Sequence, residues 1–423
     1  MELSNFGKNF TVDAGILKLM EDLGKANSGD GDMIMLGGGN PGHIPEVQQV
    51  LRERMQRILE NDGEFEQLIG NYDPPEGRKS FIVELAALFR REYGWDVQPE
   101  NIALTNGSQS AFFYLFNMFA GKFADGSFKK VLLPLAPEYI GYADLGVDGD
   151  IFKAYKPTIE HLDEHMFKYR VNFDELEITD DIGAICVSRP TNPTGNVLTD
   201  DEVKKLAELA EQNNIPLIID NAYGLPFPNI VYTDAKPFWN KSMVLSMSLS
   251  KLGLPGARTG IVVADKKVIS SIAKMNAIFN LAPGSLGVSL AIDIVKDGRI
   301  IELSKSVINP YYKKKSVLAF NKLSEELDGV DHYLHKPEGA MFLWLWLKDL
   351  PIGSHELYER LKKRGVVVVP GHYFFPGLNE DWKHKDECLR ISYAYDEETV
   401  RNGLEIIADE IKVVFKEYEK VIK

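Results

Sequence analysis

From about Asn101 to Ala264, short apolar runs alternate with longer stretches whose apolar residues return every three or four positions. That rhythm predicts β-strands joined by amphipathic helices, the pattern of a mostly parallel sheet covered on its faces. Strands are expected at 102–104, 131–135, 182–187, 215–220, 243–247 and 259–264, with helices at 110–119 and 200–213. Thr199, three residues before Glu202, reads as the capping box that opens the second of these helices.

After Gly298 the texture changes. A long helical segment covers 299–327, and strand-like runs follow at 339–346, 366–369 and 389–393. The chain closes on a helix whose apolar residues Val400, Leu404, Ile407, Ile411, Val414 and Tyr418 step by three and four. This predicts a second, smaller α+β domain. The expected division is an N-terminal arm with part of the small domain over 1–50, a large domain over 51–298 and a small C-terminal domain over 299–423.

Composition narrows the range of partners. The chain has 423 residues, 44% of them apolar, enough for a large core. Its 48 basic residues stand against 62 acidic ones, a formal charge of -14 with a pI near 5.2. A nucleic-acid partner would need a basic surface, so small metabolites are the expected ligands. The two cysteines, Cys186 and Cys388, both sit in apolar runs and read as reduced core thiols. The first 25 residues mix acids and bases without a long apolar core, so no signal peptide is expected. No apolar run approaches the roughly 18 to 20 residues of a membrane span. The expected location is the cytoplasm, with no membrane partner.

Two patterns that suggest chemistry are weak in context. Gly37 to Gly42 satisfies G-x-G-x-x-G, but Pro41 removes a backbone donor where a phosphate needs one, and no second strand follows at βαβ distance. It reads as a glycine-rich turn lining some other site. His161-Leu162-Asp163-Glu164-His165 matches H-x-x-E-H, yet charged residues surround it and no apolar flank excludes water. A solvated loop or a helix start is expected there, and no metal. No G-x-x-x-x-G-K-[ST] occurs, which argues against a P-loop nucleotidase.

The ends of the predicted strands carry more. Thr105-Asn106-Gly107-Ser108-Gln109-Ser110 joins a strand to a helix, where free N–H groups either are simply capped or bind a phosphate. Asn192, before Pro193 in a turn-rich loop, bonds a ligand or its own turn. Asp220 and Tyr223 end the next strand, at the carboxyl edge where α/β proteins bind ligands, unless Asp220 only caps. Lys251 lies between hydroxyls and glycines, with Arg258 seven residues on. It is either a solvated surface lysine or one held in a Schiff base to an aldehyde cofactor beside a phosphate clamp.

Asn-Pro-Thr-Gly at 192–195, Asp-x-x-Tyr at 220–223 and Ser-x-Ser-Lys at 248–251, in that order, resemble the fold type I pyridoxal-phosphate enzymes of the aspartate aminotransferase superfamily. The likeness runs over essentially the whole chain from Leu36 on. The segments 103–114, 134–142 and 250–256 are similar, more narrowly, to the bacterial valine-pyruvate aminotransferase branch. The resemblance implies an α/β fold with a mostly parallel seven-stranded sheet between helices, and a smaller α+β domain. It also implies a pyridoxal 5'-phosphate cofactor and a homodimer with shared active sites. The implied reaction is L-valine plus pyruvate giving 3-methyl-2-oxobutanoate plus L-alanine. Another aminotransferase of alanine or aromatic range, or a carbon-sulfur lyase on the same scaffold, is the alternative.

The resemblance assigns roles as well. Lys251 would hold the cofactor aldehyde and carry the proton, Asp220 would pair with the pyridine nitrogen, and Tyr223 and Asn192 would bond the phenolate oxygen. Tyr139 would stack on the ring. Gly107, Ser108, Gln109, Ser248 and Arg258 would hold the phosphate, joined by Tyr72 from the partner subunit. Arg390, with Asn192, would grip the substrate carboxylate, a structural salt bridge being its other reading. Gly39, with Gly38 beside it, would let substrate approach the backbone. Arg189 is either a second anion contact or a dimer-surface residue.

Overall fold

The computed structural model describes residues 2–12, 15–17, 20–21 and 33–422. Its main sheet runs in the order Ile102–Asn106, Thr259–Val263, Met243–Ser248, Leu217–Asp220, Ile182–Ser188 and Phe128–Leu133, with Phe152–Ala154 paired to the last. These are the seven strands of the expected sheet. Gly121–Lys122 adds an eighth by pairing antiparallel with Phe128–Leu133. Thr259–Val263 runs antiparallel to both of its neighbours, while the other pairs down to Phe152–Ala154 are parallel. Every residue of Ile182–Ser188 and Met243–Ser248 is buried. Near-continuous apolar strands of this kind are what a sheet covered on both faces requires.

Parallel register brings the strand ends together. Ser188 and Ser246 both stand opposite Asp220. The apolar runs therefore deliver three polar residues to one place at the carboxyl edge of the sheet.

Helix Ser108–Phe119 begins two residues earlier than its apolar pattern suggests, because Gly107 turns the chain into it at φ +81°. Helix Asp200–Gln212 starts on the expected box: Thr199 Oγ1 accepts from the Glu202 N–H, and the Glu202 carboxylate accepts from the Thr199 N–H at 2.8 Å. Thr199→Ala removes one half of that exchange. The expected cost is about 1 kcal/mol of stability, read as a lower urea midpoint at unchanged slope.

The second sheet has six strands, in the order Val369–Pro370, Cys388–Ser392, Phe342–Trp346, Tyr333–His335, Met166–Arg170 and Thr158–His161. The last two form an antiparallel hairpin in which His161 pairs with Phe167. The H-x-x-E-H pattern thus sits on the exposed turn of that hairpin, a solvated loop as expected, and not on one helical face. The strand signal lay in its flanks, where Phe167, Lys168 and Tyr169 are buried. No group of metal-ligating side chains occurs among the described residues.

The expected 299–327 helix is helical over 299–326, Arg299–Leu303 leading through a π-helical turn, Ser304–Ile308, into Asn309–Glu326, with Leu327 as its C-cap. Near the N-terminus, Ile34–Met35 pairs in parallel with Val366–Val367. Of the apolar positions expected along the closing helix, Val400 to Val414 are buried, whereas Tyr418 is exposed. Cys186 and Cys388 are buried, unbridged thiols. Among the described residues no helix is long and apolar enough to cross a membrane.

Candidate active site

The site gathers where the carboxyl ends of the main-sheet strands meet the second sheet. Lys251 follows strand Met243–Ser248 directly, and its Nζ donates to the Gly39 carbonyl at 2.6 Å. The amine lies 5.3 Å from the centre of the Tyr223 ring. Its pKa is held down to about 8, first by burial, then by the Arg390 and Arg258 cations, while Asp220 pulls the other way. A lysine in this state yields a free amine near neutral pH, which is what a nucleophile or proton carrier needs.

The same shift has a thermodynamic consequence. Between about pH 8 and the ordinary lysine range the unfolded chain keeps a proton that folded Lys251 has lost, so folding stability rises with pH there. Lys251→Met, measured without added cofactor by denaturant unfolding at stepped pH, is expected to lose that part of the rise.

Asp220 ends its strand buried. Its Oδ2 accepts from the Tyr142 hydroxyl at 2.6 Å and its Oδ1 from the Ala222 N–H at 3.0 Å. Burial pushes its pKa up, and those two donors, followed by the Lys251 charge, work against the rise. The Tyr223 phenol is buried and shifted upward by that burial, so it stays protonated as a hydrogen-bond donor.

Arg390 enters from strand Cys388–Ser392 and is fully buried. Its Nη1 donates to Asn192 Oδ1 at 2.7 Å and its Nη2 to the Gly37 carbonyl at 2.6 Å. Phe342 and Phe374 lie against the guanidinium, their ring centres 4.3 Å and 5.1 Å from Cζ. Burial lowers the pKa to about 10, which leaves the group charged at neutral pH. The Nε donor has no partner among the described residues. A buried cation fixed by neutral oxygens and aromatic faces, with a donor to spare, suits an incoming carboxylate. Among the described residues no carboxylate side chain pairs with it, so the salt-bridge reading does not hold there.

At the neighbouring strand end, Gly107 opens the Ser108–Phe119 helix and the Arg258 side chain lies directly on it. A Cβ at Gly107 would overlap the guanidinium. Arg258 itself takes φ +46° and remains exposed. The Gln109 amide is spent on the Gly141 carbonyl at 2.9 Å, tying this helix to the turn that carries Tyr139. The Ser248 hydroxyl donates to Thr259 O and accepts from the Ser250 N–H. Free helix N–H groups beside an arginine make a phosphate cradle. Phosphate cradle, low-pKa lysine and buried aspartate lie along one edge of the sheet, after strands Ile102–Asn106, Met243–Ser248 and Leu217–Asp220, with the start of Thr259–Val263 between the first two, and together the residues fit pyridoxal 5'-phosphate.

Tyr139 is partly buried beside these groups. Gly39 is open toward the site: the nearest atom to a Cβ placed there is Lys251 Nζ, at 3.8 Å. Tyr72 projects outward, 84% exposed. Arg189 is neither an anion contact nor a surface residue. Buried, it donates to the Leu198 and Lys236 carbonyls and pairs with Asp200, which pins the Asn192 loop to the next helix.

Several residues escaped sequence reasoning. Tyr142, Ser188 and Glu138 form the surroundings of Asp220, and Phe342 and Phe374 sandwich Arg390. Tyr142, three residues after Tyr139 in a run of aromatic and small residues, was the one local signal. The others reach the site through strand pairing.

Comparison with known proteins agrees with this geometry. The chain is 51% identical to the valine-pyruvate aminotransferase of Escherichia coli (strain K12), over 99% of this chain and 100% of that one. The crystal structure of valine-pyruvate aminotransferase from Salmonella typhimurium LT2 is also 51% identical, with a TM-score of 0.87 over 95% of this chain and all of that one. An aspartate aminotransferase structure from Thermus thermophilus, with maleate, shares the fold at a TM-score of 0.78 and 21% identity, over 97% of this chain and 100% of that one. The family model for aminotransferase class I and II matches residues 32–407, and the chain belongs to that family.

Proposed function

We propose that this protein is a pyridoxal 5'-phosphate-dependent transaminase that passes the amino group of L-valine to pyruvate, giving 3-methyl-2-oxobutanoate and L-alanine. The observation that carries transamination is the meeting of Lys251, Asp220 and Arg390 at one cluster of strand ends. The choice of substrate pair is supported by 51% identity over the full length of the Escherichia coli enzyme.

When bound, the cofactor supplies an electron sink for the pair left at the substrate Cα. The chain's own residues do the rest. Arg390 and Asn192 hold the substrate carboxylate and so fix the orientation of Cα. Lys251, once free, takes the proton from Cα and returns it to the cofactor's C4′. Asp220 would set its negative charge against the ring nitrogen, and Tyr223 with Asn192 would donate toward the phenolic oxygen. Tyr139 would stack on the ring, while Arg258, Ser108 and the backbone around Gly107 would anchor the phosphate. Gln109 and Ser248 act by shaping that cradle.

We place Tyr72 on the phosphate of a second copy's site. Its 84% exposure suits a homodimer interface, and Ile69, Ile278, Phe279 and Leu281 are exposed apolar residues as well. A cytoplasmic setting fits the two reduced thiols.

Gly107→Ala forces Arg258 off its seat and strains a left-handed backbone. Weaker cofactor binding is the expected result, measured by equilibrium dialysis against pyridoxal phosphate. Substrate assignment is tested with purified enzyme, L-valine and pyruvate: L-alanine must form in step with 3-methyl-2-oxobutanoate. Preference for an aromatic or acidic donor would replace the substrate pair. Release of pyruvate and ammonia from a cysteine conjugate without an acceptor would replace transamination by lyase chemistry.

A further inference from the structure

A buried ion pair joins the second sheet to the Asn192 loop. Lys168 lies on strand Met166–Arg170, and Glu338 in the turn between Tyr333–His335 and Phe342–Trp346. They are 2% and 3% exposed and in direct contact. Both reach across to the loop that follows strand Ile182–Ser188. Lys168 Nζ donates to Asn196 Oδ1 and to the Val197 carbonyl, each at 3.0 Å, and Glu338 Oε2 accepts from the Val197 N–H at 3.1 Å. Both polar backbone groups of Val197 are thus held by side chains from the second sheet.

The two backbones also touch. A Cβ at Gly195 would lie 2.5 Å from the Gly339 carbonyl oxygen, and one at Gly339 would lie 2.6 Å from Pro190 Cγ. Within the loop the Thr191 N–H donates to the Asn196 carbonyl at 2.9 Å and the Gly195 N–H to the Thr191 carbonyl at 2.8 Å. A position fixed at Asn196 and Val197 is therefore passed to Asn192 within one tight turn. Arg390, which donates to Asn192, and Phe342, which lies against its guanidinium, belong to the same sheet as the ion pair. Stability alone is a poor reason for such a pair, because the cost of drying two charges offsets most of their attraction. What it supplies is geometry.

We infer that Lys168 and Glu338 are positioning residues for substrate binding. They clamp the Asn192 loop to the sheet that carries Arg390, so that the asparagine and the guanidinium meet the substrate carboxylate at one fixed spacing. The inference rests on the carboxylate role proposed for Arg390 and Asn192.

The test reads the preference for L-valine over an alkylamine that lacks the carboxylate, as the ratio of their kcat/KM values. In Lys168→Met and Glu338→Leu this preference is expected to fall about tenfold, through KM for L-valine with kcat little changed. E338Q is expected to keep it, because its amide oxygen can accept from Lys168 and Val197 as Oε2 does. Removing one partner strands the other's charge, so K168M/E338L, which removes both, covers the case in which a single variant fails to fold. It should show the same loss. Asn192→Ala should lower the preference by itself and leave K168M/E338L no further effect in its background. A preference untouched by Asn192→Ala overturns the carboxylate role of Asn192, and the inference with it. If Asn192→Ala lowers the preference while K168M/E338L leaves it intact or damages both donors alike, the inference alone is overturned. Damage by E338Q equal to that of Glu338→Leu overturns it as well.

Discussion

Lys251→Ala is expected to lower turnover by about 10⁴-fold, the upper range for removing a positioned proton carrier. The fold should survive. Among the described residues Nζ makes one hydrogen bond, to the Gly39 carbonyl in an open part of the site, and folding holds the amine as a poor cation. Removing it relieves a buried charge rather than breaking a structural pair. Far-ultraviolet circular dichroism and the urea midpoint should therefore stay close to wild type while steady-state turnover collapses. A variant that unfolds would mark Lys251 as structural, and one that still turns over would move the proton transfer to another group.

Arg390→Leu is the second large effect, and it differs in kind. Two charge-assisted bonds to a carboxylate are lost, at about 1.5 to 3 kcal/mol each, so kcat/KM should fall by about 10² to 10⁴. The defect should concentrate in KM for the amino acid, since the carboxylate is held before and during the chemistry. Arg390→Lys keeps the charge but loses the fork between Asn192 Oδ1 and the Gly37 carbonyl, and should recover only part of the loss. An alkylamine donor that lacks the carboxylate gives the specific readout. Its kcat/KM should change little in Arg390→Leu, so that preference for L-valine over the amine nearly disappears. Unlike Lys251→Ala, this variant also loses stability. The Asn192 and Gly37 oxygens are left without their donor, at a cost of about 1 to 3 kcal/mol for each that stays buried.

What the sequence disclosed, and what it hid, follows from the range over which each feature is encoded. The strands with continuous apolar runs and the Thr199 capping box are written in neighbouring residues and were legible. So was the cluster of Lys251, Asp220, Asn192 and Arg258, because the βα rhythm places strand ends at one edge of a sheet. The hairpin of Thr158–His161 with Met166–Arg170 was missed, since its charged turn masks two short strands, of which Met166–Arg170 finds its other partner in Tyr333–His335, far along the chain.

Buried polar pairs were the least visible. Arg189 looks like an exposed cation until the fold supplies the Leu198 carbonyl from its own loop, the Lys236 carbonyl from a distant segment and Asp200 from the next helix. Lys168 and Glu338, 170 positions apart, form a buried ion pair that also bonds Asn196 and Val197. Nothing local in either segment signals that partner. The surroundings of Asp220 depend on strand register, which sets Ser188 opposite it, and on Tyr142, whose role is set by where its turn lands. Hydrophobic patterning encodes the scaffold, while the polar shell behind the site is encoded in long-range pairing.

The most direct measurement is chemical. Purified protein loaded with pyridoxal phosphate is reduced with borohydride, digested and mapped by mass spectrometry. The cofactor is expected on the peptide containing Lys251, and on that lysine alone. A label on a different lysine, or protein that takes up the cofactor yet carries no label after reduction, would contradict the assignment.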